Sequence, residues 1–145
     1  MKRGAWLVVA FLLVAAVKAD DKADAVKKEL AKIDGSWQMV SMEVEGNKAS
    51  DDDVSKIVLV MKDGNYTVEG VDQELKGTLT FDPTKKPKTV ERKETDGPDK
   101  GETRYGIYEL NGDEFKLCFA STGKDRPGKF TGEQGHQMFV FKRKK

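Results

Sequence analysis

Cys118 and His136 are the only thiol and the only imidazole in the chain, so any nucleophilic cysteine chemistry has to use this pair. A reactive thiol needs a neighbouring base and an electropositive setting to ionise. In the stretch EFKLCFA, strand alternation puts Phe115, Leu117 and Phe119 on one face and Lys116, Cys118 and Ala120 on the other. Cys118 is therefore expected on an outer face, covered by a loop or a helix, as a small structural residue; free cysteine is often simply buried. His136 opens the last apolar stretch, and pairing of the last two strands would bring it near Ala120, which leaves a Cys118–His136 dyad and an intermolecular disulfide as the weaker readings.

Arg126 precedes Pro127, and the steric demand of proline holds it extended, aiming the guanidinium away from the preceding strand. Two roles are open to it: pinning its loop through backbone carbonyls or an acid such as Asp113, or holding an anion at the mouth of the fold. The three consecutive aspartates Asp51, Asp52 and Asp53 lack the spacing and glycine of a calcium loop and read as a solvated turn or helix cap. One histidine and one cysteine do not make a structural zinc site. The chain has no glycine-rich phosphate loop, nucleophile elbow or metalloprotease helix. No metal, no cofactor and no catalytic constellation is expected, and an enzyme ranks below a binding protein.

The elements that must carry these residues change period once. In DDKADAVKKELAKIDG, Val26, Leu30 and Ile33 fall at i, i+4 and i+7, acids crowd the front and Gly35 ends the run, which predicts one short amphipathic helix. After Gly35 the pattern alternates to the end of the chain. WQMVSMEVEG turns at Gly46-Asn47, KIVLVMKDGNYTVEG at Asp63-Gly64-Asn65, and TRYGIYELNGDEFKLCFA at Asn111-Gly112. ELKGTLTFDP and QMFVFKRK complete the clear strands, and TVERKET is the weakest, being almost wholly polar. About eight sequential antiparallel strands most economically close into an up-and-down barrel, because closure removes both sheet edges. The fold expected is all-β, an eight-stranded antiparallel barrel with a short N-terminal helix that plugs or flanks one end; a two-sheet sandwich is the alternative. The connection from Ser121 to Gly135 is long enough to be a lid or binding loop.

Residues 1–19 read as a separate segment. A basic tip at Lys2 and Arg3, an apolar run of about 13 residues from Ala5 to Val17, and the exit Val17-Lys18-Ala19 follow the order of a secretory signal peptide. The run is short of the roughly 20 residues that cross a bilayer as a helix. Cleavage after Ala19 is expected, leaving residues 20–145 as a single domain with no stable membrane span, secreted or periplasmic. The leader takes three of the 26 basic residues and none of the 25 acidic ones, so the remaining chain is slightly acidic and nucleic acid is not an expected partner. The terminal KRKK reads as a solvated tail. A single cysteine excludes an internal disulfide, so packing alone must hold the domain, which is expected to be a monomer.

At GSW, Gly35 to Trp37, a helix followed by Gly-x-Trp at the first strand, with a basic residue (Arg143) ending the last, resembles the lipocalin signature. More closely, GSWQMVSMEVEG, FDPTKKPKTV, YGIYELNGDEFKLCFA and RPGKF resemble the lipocalin-like domain of a large uncharacterised family abundant in planctomycete bacteria, over nearly all of residues 34–143. The resemblance implies a barrel, frequent export, and an Arg143 side chain closing the base over Trp37. It implies no activity and no binding residues. The chain is shorter than true lipocalins and lacks their paired cysteines, which argues against a roomy cup.

Alternation places Trp37, Met39, Leu59, Met61, Tyr66, Val68, Leu79, Phe81, Phe115, Leu117 and Phe119 inside the barrel. Two functions follow from such an interior. In the first, a small apolar or amphipathic ligand occupies a pocket of about 300 Å³ or more, lined by Leu59, Phe81, Leu117 and Phe119, with Arg126 available to an acidic head group. In the second, these side chains fill the barrel and the protein is an interaction or structural module of the cell envelope.

Overall fold

The computed structural model of the protein describes residues 19–145; the expected signal segment lies outside the described residues, apart from Ala19. Helix α1 (Ala19–Ile33) leads into strand β1 (Gly35–Val44), followed by the two-residue β2 (Asn47–Lys48) and the one-turn α2 (Asp51–Val54). Seven further strands complete the chain: β3 (Val58–Lys62), β4 (Asn65–Glu69), β5 (Leu75–Asp82), β6 (Thr89–Asp96), β7 (Thr103–Asn111), β8 (Glu114–Ala120) and β9 (His136–Arg143).

Each strand from β3 onward pairs antiparallel with the next, β1 pairs with β3, and β9 returns to β1, so eight strands close a barrel while β2 extends β1 as a short hairpin. The fold is thus the expected up-and-down antiparallel barrel with a helix at one end. Asp63 and Gly64 both have positive φ, 49° and 84°, the conformation that a tight turn between β3 and β4 requires. The aspartate run forms α2, whose N-cap is Ser50: its Oγ accepts the Asp53 N–H at 3.2 Å.

The two ends of the barrel differ. The base is a packed aromatic cluster: Trp37 and Phe115 lie with ring centroids 5.2 Å apart, and Phe81 meets the edge of Tyr108 at 4.9 Å. Helix α1 seals this end with Ile33, fully buried, and Leu30. The Trp37 indole N–H donates to the Ile33 carbonyl at 2.7 Å, tying the last turn of α1 to the first strand. A second tie is polar. Glu29, buried, accepts hydrogen bonds from the Tyr108 hydroxyl at 2.6 Å and the Lys88 ammonium at 2.8 Å. The opposite end carries the longer connections, including α2 and the Ser121–Gly135 loop.

Candidate functional site

Above the aromatic base the barrel is not filled. A cavity of about 180 Å³ occupies its upper half, lined by Leu59, Leu79, Leu117, Phe119, Phe139 and Phe141 among other apolar side chains. Val71 is exposed and Met42, Leu75 and Phe139 partly so, which marks where the cavity meets the surface. The volume is below the pocket of about 300 Å³ expected for drug-sized ligands, and just above the ~150 Å³ at which an engineered apolar cavity takes up benzene.

Three of the expected lining residues, Leu59, Leu117 and Phe119, are brought together around this space. Phe81 is not among them. Strand β5 descends to the base, and Phe81, close to its lower end, is held between Tyr108 and Phe115, so its ring helps to form the floor's packing. Arg126 also stands elsewhere. It lies on the outer wall, where its Nη1 donates to the carbonyls of Val90 and Gly106 at 3.0 and 2.6 Å, its guanidinium covers Tyr105 at 5.4 Å, and Glu91 is 3.6 Å away. With those bonds Arg126 fastens the Ser121–Gly135 loop to β6 and β7, which is the loop-pinning role; Asp113 pairs instead with Arg143 and Lys145 at the base.

The same loop buries the thiol. Cys118 is fully buried on the outer face of β8, and its Sγ donates to the Thr131 carbonyl at 3.2 Å. Burial pushes its pKa up, against a smaller opposing effect of the Thr131 contact, which disfavours the thiolate a nucleophile needs. His136 does pair with Ala120, as the hairpin demands, and its Nδ1 lies 3.2 Å from the Gln134 carbonyl. The two ends of the loop are tied together by Glu45, whose carboxylate accepts from the Ser121 hydroxyl, from Gln134 Nε2 at 2.9 Å and from the Gly135 N–H at 2.8 Å. The Ser121 and Gly135 bonds hold the Glu45 carboxyl below its ordinary pKa.

Arg143 stacks on Trp37 as the signature implies, with 4.2 Å from guanidinium carbon to ring centroid. The two residues are direct partners in the β1–β9 register. Arg143 also donates to the Asp34 carbonyl at 3.2 Å and to that of Lys32, satisfying carbonyls left over at the end of α1. Gly35 is required here: its φ is +126°, and a Cβ would stand 3.2 Å from the guanidinium nitrogen.

Two polar residues break the apolar lining: Tyr66, which alternation placed inside the barrel, and Arg92, which the sequence did not single out. Arg92 is one residue of the polar strand TVERKET; alternation with the buried Val90 puts it on the inner face, directly opposite Leu79. Its guanidinium lies 4.8 Å over the Phe119 ring and donates one bond, to Gln137 Oε1 at 3.2 Å. Burial lowers its pKa. Tyr66 is buried, and its hydroxyl has no hydrogen-bond partner among the described residues. Burial pushes its pKa up to about 12. The ring lies across Gly77, where a Cβ would come within 2.6 Å of Cε1, so the hydroxyl is carried over β5 toward β6. An orphaned buried hydroxyl of this kind costs about 1–3 kcal/mol. The signal that could have found Arg92 is the polarity of β6 itself, since a strand walled into a closed barrel must turn alternate residues inward.

No family model and no curated protein matches this sequence significantly.

Proposed function

We propose that the protein is an exported, lipocalin-like binding protein whose barrel takes up a small apolar or amphipathic molecule. The observation that carries this reading is the 180 Å³ apolar cavity above a packed base, open toward one end. Its size sets the ligand at a single ring or a short alkyl chain. Binding is favoured over catalysis because Cys118 is bonded to a backbone carbonyl with its pKa raised, and because Arg126 is spent on the loop. Closure of the eight strands supports a monomer, since no barrel strand offers a free edge.

Titration of the protein with benzene, followed by methyl and aromatic NMR signals, tests the reading. Saturable shifts confined to Leu59, Leu79, Leu117 and Phe119, abolished by the cavity-filling change Leu117→Trp, are expected. Benzene shifts that stay linear up to its solubility would leave the filled-barrel interaction module in its place.

The leader supports export, with cleavage after Ala19 into the periplasm or beyond. N-terminal sequencing of the protein from its native cells should begin at Asp20; a chain still starting at Met1 overturns the export proposal without touching the cavity.

A further inference from the structure

Resting on the reading of the cavity as a ligand site, we infer that the ligand is an anion: a small monocarboxylate whose head group sits between the Arg92 guanidinium and the Tyr66 hydroxyl, with its apolar body in the cavity.

Three observations converge on this. The cavity is lined by apolar side chains apart from Arg92 and Tyr66, so these two residues are the ones that can orient a ligand. Arg92 has five N–H donors, of which one is engaged, and none of the ion pairs among the described residues includes it. The acids whose charge reaches it are committed to other groups: Glu94 Oε2 accepts the Asp99 N–H at 2.8 Å, and Asp99 Oδ2 pairs with Arg104 at 2.9 Å. A partly buried cation is thus left with donors to spare at the wall of an apolar space. The Tyr66 hydroxyl, buried and unpartnered, is a further donor, carried across Gly77 toward β6.

The geometry also orients the ligand. Arg92 reaches past β7 to Phe119 on β8 and to Gln137, the second residue of β9, at the end where the long loops gather. A carboxylate held there leaves its tail pointing down toward Leu79 and Leu117. A planar guanidinium stacked on an aromatic ring is preorganised for a carboxylate, and the charge-assisted bonds gain strength from the dry surroundings.

Calorimetric titration of the protein with benzoate, and with benzene as its uncharged counterpart, separates the head group from the cavity. Benzoate is expected to bind at least about tenfold more tightly than benzene. Arg92→Met, which keeps an apolar stem over Phe119, should remove the advantage of benzoate over benzene. Tyr66→Phe removes a single oxygen; it should weaken benzoate by about three- to tenfold and leave the melting temperature unchanged or raised, because it deletes an orphaned buried hydroxyl. A purely structural Tyr66 would not produce that opposition of stability and affinity. Should Arg92→Met fold poorly, Arg92→Lys, which loses the planar fork but keeps the charge, should show an intermediate benzoate affinity. Benzene binding with no preference for benzoate, or a benzoate affinity indifferent to both Arg92→Met and Tyr66→Phe, overturns the head-group assignment and leaves the cavity reading standing. Failure of both probes to bind overturns both.

Discussion

Arg143 shows how one side chain holds three elements. It covers Trp37, it is the β1–β9 partner of that residue, and it donates to the last carbonyls of α1. The stacking contributes about 0.5–2 kcal/mol beyond packing, and a cation at a helix C-terminus adds a favourable dipole interaction. Arg143→Ala should therefore lower the melting temperature and shift the tryptophan emission, because the Trp37 ring loses its cover. Lys145→Ala, which removes only an exposed pair with Asp113, should do neither. Equal effects of the two substitutions would show that the indole–guanidinium contact contributes nothing beyond surface charge.

At the scale of elements, α1 is attached through a buried carboxylate as well as through its apolar stripe. Burial opposes ionisation of Glu29, yet the hydrogen bonds from Lys88 and Tyr108, with the charges of Lys88 and Lys32, outweigh it and hold the carboxyl below its ordinary value of 4.5. A depressed folded-state pKa means that the ionised form is worth more in the folded protein. This stabilisation is complete above the unfolded carboxylate value and is lost as pH falls through the folded one, that is, from about pH 4.5 downward. Glu29→Gln should cost about 1–3 kcal/mol at neutral pH, and the gap between wild type and variant in thermal melts should narrow on acidification below that point. A gap that stays constant from pH 7 to pH 3 would place the contribution of Glu29 outside ionic hydrogen bonding.

The whole molecule is a barrel with unequal halves. Aromatic packing and α1 close the base, and the apolar cavity lies in the upper half, where the proposed binding would take place. Occupancy of the upper half should then stabilise the fold by mass action, since a ligand that binds only the folded state at 100 times its dissociation constant adds about 2.7 kcal/mol. Benzoate at saturating concentration is expected to raise the melting temperature of the wild type and to leave that of Leu117→Trp unchanged. An equal rise in both would trace the effect to the outer surface.

The barrel was legible in the amino-acid sequence because its causes are local. The period of 2 after Gly35, the Asp63-Gly64 and Asn111-Gly112 turns, and the i, i+4, i+7 stripe of Val26, Leu30 and Ile33 each act within a few residues. Even the outward face of Cys118 and the meeting of Trp37 with Arg143 follow from alternation and closure. Tertiary structure alone decided which inward residues meet one another. Alternation says that Phe81 and Leu79 both point inward, but the height of each along the barrel axis makes one a packing residue of the base and the other a wall of the cavity. Arg126 could pin a loop or meet an anion; what settles its place is the pair of carbonyls on β6 and β7 that its loop happens to cross. Arg92 and Tyr66 are 26 positions apart and meet the same cavity only because β5 passes between them carrying Gly77, whose missing side chain lets the Tyr66 ring lie across it. Periodicity sets the direction of a side chain, whereas the neighbours it finds depend on register and on the volumes packed around it, which are properties of the closed barrel as a whole.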